Sequence, residues 1–202
     1  MKRLWLFATF LPGALSGNGA LADGNPEAGA AKSTVCQACH GPTGNSANPE
    51  WPSLAGLGAD YITEQLQNFK SGKRNNPIMM GNVLALTPED MADLGAFFGK
   101  QVNTGLEADP SVAAAGEKLY RGGDKARGIP ACMACHGPAG GGIETAKYPP
   151  LRGQHSVYVA KQLTDYASGA RTSGPNGIMQ TIAKRLTADD IHILSSYVQG
   201  LR

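Results

Sequence analysis

Near the end of each half, the chain shows the hydrophobic period of a helix. Met91, Leu94 and Phe98 fall three and four residues apart, as do Ile191, Leu194 and Val198. Thr87-Pro88-Glu89-Asp90 and Thr187-Ala188-Asp189-Asp190 precede these runs. A threonine with an acid three residues on is an N-terminal cap, and Pro88 suits the first helical position. Gly99 and Gly200 end the two helices. Gly29 and Gly116 fall in the first predicted helix of each half, where a missing side chain would let terminal helices cross closely. No stretch shows convincing strand alternation, so the pattern predicts an all-α chain.

One apolar stretch is of another kind. Met1-Lys2-Arg3 is cationic, Leu4 to Leu15 is mostly apolar, and Ala20-Leu21-Ala22 gives an A-x-A cleavage pattern. A spanning helix needs about 20 apolar residues, more than this run has. Residues 1–22 therefore read as a cleaved export signal, and the expected location is the bacterial periplasm.

The remainder repeats itself. Ala28-Gly29 matches Ala115-Gly116, and Pro52-x-Leu54-x-Gly56 matches Pro149-x-Leu151-x-Gly153. Tyr61, Gln65, Leu66, Phe69, Gly72 and Arg74 match Tyr158, Gln162, Leu163, Tyr166, Gly169 and Arg171. Asn76, Ile78 and Met79 match Asn176, Ile178 and Met179. The second half has an extra loop around Gly122 to Gly128. Two similar domains follow, 23–101 and 111–202, joined by a linker over 102–110.

Composition sharpens this picture. The signal takes Trp5, Phe7 and Phe10, which leaves 10 aromatic residues for two small cores. Something else must fill them. The formal charge of +2 belongs wholly to Lys2 and Arg3, so no basic field suits a nucleic acid.

The four cysteines name the filler. Cys36-Gln37-Ala38-Cys39-His40 and Cys132-Met133-Ala134-Cys135-His136 are both C-x-x-C-H, the attachment signature of a c-type haem. Two thiols add to the porphyrin vinyl groups, and the histidine becomes the proximal ligand. A zinc site is a weaker reading, because the pairs lie 96 residues apart and each is followed by histidine. A thioredoxin-like motif would not normally occur twice with that histidine. Two covalent haem c groups are expected.

The far ligand decides what such a haem does. A methionine there closes the iron to small molecules and raises its potential. Met133 lies between two attachment cysteines, and Met91 sits on a core stripe. Met179, in a Gly/Pro-rich loop, is the candidate of the second half. In the first half Met79 and Met80 compete, and the repeat favours Met79 because Met80 corresponds to Gln180. His155 and His192 read as surface or interface residues rather than ligands. Pro52 and Pro149 follow His40 and His136 by 12 and 13 residues, and their carbonyls are candidates to hold the rings. Arg74, Arg171, Arg152, Tyr61 and Tyr158 are candidates for haem propionates.

These motifs, with Leu194-Ser195-Ser196-Tyr197 and Gly153-Gln154-His155, resemble the diheme cytochrome c4 family over essentially the whole mature chain. The resemblance implies two class I cytochrome c folds facing each other through a haem–haem contact. It implies a periplasmic carrier, with no small-molecule substrate, between a quinol-oxidising bc-type complex and a terminal oxidase, often of the cbb3 type. Both partners are membrane-bound, so peripheral membrane association belongs to the expectation. Two alternatives stay open: an electron-accepting subunit of a dehydrogenase, such as a flavoprotein that oxidises sulfide, and a diheme peroxidase.

Overall fold

The computed structural model describes residues 24–202; the export signal read over residues 1–22 lies outside them. Among the described residues, ten α-helices form two groups of five. The first comprises α1 (Pro26–Lys32), α2 (Thr34–His40), α3 (Ala59–Lys70), α4 (Pro77–Val83) and α5 (Pro88–Gly99). The second comprises α6 (Ala113–Gly122), α7 (Met133–His136), α8 (Ser156–Ser168), α9 (Ile178–Ala183) and α10 (Ala188–Gly200). Among the described residues there is no β-strand, only three isolated bridges.

The last helix organises each group. Helix α5 packs on α1 and α3, and α10 packs on α6 and α8. Both begin with a capping box, in which Thr87 or Thr187 accepts from the N–H of Asp90 or Asp190 and the aspartate accepts in return. The crossing with the first helix depends on glycine. A Cβ on Gly29 would lie 2.0 Å from the Asp93 carbonyl oxygen, and one on Gly116 would lie 2.5 Å from that of Ile193.

The cores are small, as the composition requires. Ile62, Leu66, Phe69, Val83, Met91, Leu94 and Phe98 make one. Leu119, Tyr120, Ile129, Leu194, Val198 and Leu201 make the other. Met91 is a packing residue, only 2% exposed.

The extra loop of the second half has a clear task. Asp124 and Ile129 exchange backbone hydrogen bonds, which folds the loop back on itself. This carries Arg127 to Asp190, with contacts of 2.5 and 3.0 Å. In the first half, Lys32 at the end of α1 makes the corresponding tie, reaching Asp90 at 2.7 Å and Asp93 at 2.6 Å. The stretch between α5 and α6 is pinned at both ends. Asn45 holds Val102 and Thr104, and the Asp109 N–H donates to Ser196.

Candidate functional site

Each domain encloses a cavity walled by its helices. The first, about 560 Å³, is lined by Cys36, Cys39 and His40 on one side and Met79 on another, with Leu54, Leu66 and Phe98 between them. The second, about 200 Å³, is lined by Cys132, Cys135, His136 and Met179, with Leu151, Leu163 and Val198. The second is the narrower but carries the same donor set.

Helices α2 and α7 each end on the histidine of the motif. His40 Nδ1 lies 2.8 Å from the Pro52 carbonyl, and His136 Nδ1 lies 2.9 Å from that of Pro149. A carbonyl can only accept, so Nδ1 carries the proton and Nε2 keeps its lone pair. Burial pushes both imidazoles below the usual histidine range, although the carbonyl contact pulls the other way. The rings are therefore neutral bases ready to ligate. None of the four cysteines is joined to another by a disulfide. Before attachment, burial pushes the Cys36 thiol up and that of Cys132 up to about 11.

The methionines differ from their expected setting. Met79 and Met179 sit in the first turns of α4 and α9, not in loops. Asn76 caps α4 by accepting from the Met79 N–H at 3.1 Å. The matching Asn176 instead takes a left-handed conformation, φ 52°, just before α9. Identical letters thus serve two different turns. Met79 is half-buried against its core, whereas Met80 is exposed and lies outside the cavity lining.

The two cavities meet where the domains touch. Tyr61, Gln65, Tyr158, Gln162 and Arg171 line both. Arg74 donates to Gln65 at 3.0 Å in its own domain, and across the boundary to Tyr158 and Gln162, each at 2.7 Å. Arg171 mirrors it, donating to Gln162 at 2.8 Å, and across to Tyr61 at 3.1 Å and Gln65 at 3.2 Å. Both arginines are buried, and among the described residues neither makes an ion pair. Burial raises the Tyr61 phenol, but Arg171 and Arg74 outweigh it and hold the group below the usual tyrosine range. Arg152 is exposed and outside both linings, away from this cluster.

The roles of Gln65 and Gln162 were missed from the sequence, although their match across the repeat was visible. A second polar contact also went unseen. Gln154 and His155 are buried against Ser53 and Ser46 of the first domain. His192 is exposed.

The donor set fits a covalent haem in each cavity. Paired thiols, a neutral imidazole and a thioether meet there, beside two arginines that make no ion pair among the described residues. The cytochrome c family model matches residues 27–100 and again 113–202. Cytochrome c4 of Pseudomonas aeruginosa is 50% identical over 181 residues, which span 89% of this chain and 90% of that protein. The chain belongs to the diheme cytochrome c4 family.

A solved structure agrees at the level of fold. Reduced recombinant cytochrome c4 from Pseudomonas stutzeri superposes with a TM-score of 0.86 at 45% identity, covering 89% of this chain and all of that one. A thiosulfate dehydrogenase electron acceptor of Thiomonas intermedia is 40% identical over 157 residues, 75% of this chain and 71% of that protein. As a cytochrome c4, the chain is all-α, two cytochrome c domains in tandem, and carries two covalent haem c groups. It is an electron carrier and not an enzyme, which removes the peroxidase alternative.

Proposed function

We propose that this cytochrome c4 works in the periplasm, taking electrons from a quinol-oxidising bc-type complex and giving them to a terminal oxidase of the cbb3 type or another kind. The units are domains 23–101 and 111–202, joined by the linker 102–110 and released by cleavage of residues 1–22. Among the described residues, no helix is long and apolar enough to cross a membrane. The partners would be met at the membrane surface.

One observation carries this reading. The two cavities share a boundary, so the two redox groups would face each other across a handful of side chains. Bound haem supplies a one-electron iron couple. The chain's own residues set its surroundings. Cys36 and Cys39, and Cys132 and Cys135, form the thioether attachments. His40 and His136, each held at Nδ1 by its proline carbonyl, would ligate through Nε2. Met79 and Met179, which line the same cavities, would hold the iron through their thioether sulfurs. Arg74 and Arg171, aided by Tyr61 and Tyr158, line the cavities and would meet propionate charge with fixed cations. Exposed Val35, Trp51 and Ile78 line the mouth of the first cavity, an apolar rim suited to brief docking. Arg152, exposed as it is, has no part in this arrangement.

The expected result is a weak red-end absorption from iron–thioether bonding in both ferric haems. Met79→Ala removes the first-domain share, and Met80→Ala leaves it intact. The reverse outcome assigns the ligand to Met80. A redox titration with purified oxidase present should show that the oxidase drains both haems.

A second reading is supported by the Thiomonas intermedia relative, whose name makes it the electron acceptor of a dehydrogenase. Under that reading the chain is the electron-accepting subunit of a dehydrogenase, and co-purification with such an enzyme at equal stoichiometry favours it.

A further inference from the structure

We propose that Gln154, a residue of the second domain, is a positioning residue that tunes the first haem through a single peptide unit. His40 donates its Nδ1 proton to the Pro52 carbonyl at 2.8 Å. The N–H of that same peptide unit belongs to Ser53, and it donates to Gln154 Oε1 at 2.9 Å. Gln154 completes a two-bond clamp by donating from Nε2 to the Ser53 carbonyl at 2.8 Å. Gln154 and Ser53 are 5% and 4% exposed, so water competes little for these bonds.

A peptide unit polarises as a whole. When its N–H is bonded to a good acceptor, its carbonyl oxygen becomes more negative and accepts more strongly. A stronger bond at Nδ1 makes the imidazole a more basic ligand. A more basic ligand favours the oxidised iron. Gln154 therefore lowers the potential of the first haem from outside its domain.

The second haem has no such relay, for a covalent reason. His136 donates to the Pro149 carbonyl at 2.9 Å, but the next residue is Pro150, which has no N–H. The tuning is one-sided by construction. His155 provides an internal contrast. Its Nε2 donates to the Ser46 carbonyl at 2.8 Å, and Ser46 in turn bonds Ser53 and the Cys39 carbonyl. That side-chain contact steadies the same loop without touching the relay peptide; the His155 N–H also donates to Gln154 Oε1 at 3.1 Å, a backbone bond that His155→Ala keeps.

This inference rests on His40 as an axial ligand of the first haem, and the two are tested apart. The holoprotein and Gln154→Met are titrated by NMR, with haem methyl signals assigned through contacts to Phe69 in one domain and Tyr166 in the other. Methionine keeps the volume and removes the acceptor. At the original midpoint of the first haem, the ratio of reduced to oxidised form should rise about threefold, or about 28 mV at 59 mV per tenfold for one electron. The second haem should not move, and the His40 Nδ1 proton resonance should shift. His155→Ala should leave the first potential unchanged. The proposal is overturned if Gln154→Met leaves the first haem in place, lowers it, or moves both haems alike, or if His155→Ala moves it equally. Should His155→Ala fail to fold, the second haem of Gln154→Met serves as the control. A low-spin first haem in His40→Ala would instead overturn the ligand assignment.

Discussion

Asp190 closes several bonds at once. It accepts from Thr187 within the capping box and from Arg127 across the extra loop. Arg127 is the larger influence and, with Thr187, holds the carboxyl down to about 2. A depressed folded-state value means that the ionised form supports the fold. That support is complete above the unfolded value near 4 and is lost as pH falls through about 2. Arg127→Ala should therefore lower the stability of the second domain near neutral pH and raise the midpoint of its acid unfolding, both followed by circular dichroism. The residues of C-x-x-C-H were legible because covalent chemistry fixes their spacing. Arg127 was not, since only the folded loop brings it to Asp190 from 63 positions away. Met79 and Met179 were legible as letters, but their helical setting was hidden by the Gly and Pro around them.

At the level of elements, the helix crossings set the tolerance of the fold. A methyl group on Gly116 would press on the Ile193 carbonyl and on Tyr197 Cβ at 2.6 Å, and neither can swing away. Gly116→Ala should cost about 1–3 kcal/mol, read from the denaturant midpoint of the second domain. Helices α5 and α10 were readable in full, because caps, apolar period and terminal glycine all agreed. Helix α7 was the hard case. It is a single turn, Met133–His136, where its counterpart α2 runs Thr34–His40. No periodicity can be seen in four residues, so only the cysteine motif marked its position. The interdomain contacts of Gln154 and His155 were illegible for a different reason: a polar side chain carries no label for a partner 101 or 109 residues away.

Across the whole molecule, charge is divided more unevenly than the net value suggests. Residues 23–105 hold 5 basic and 8 acidic groups, hence −3, while residues 106–202 hold 11 and 8, hence +3. A dipole of this kind would orient an approaching partner, and on the proposed function donor and acceptor would meet different ends. Electron-transfer rates with both partners should fall as salt rises, and stopped-flow measurement from low to physiological ionic strength checks this. Rates indifferent to salt would show that the asymmetry plays no part in docking. The division was countable from the sequence. How the two halves face each other was not, because it rests on arginines that reach a tyrosine and a second glutamine across the boundary. That clasp has a consequence for ancestry. Arg74 is satisfied by Tyr158 and Gln162, whose counterparts in the first half are Tyr61 and Gln65. The bonds are thus self-complementary, and two identical single domains related by a twofold axis could close with the same set. A symmetric dimer and a fused tandem differ, at this surface, only by a linker. Gene duplication could join such a pair without inventing a new contact.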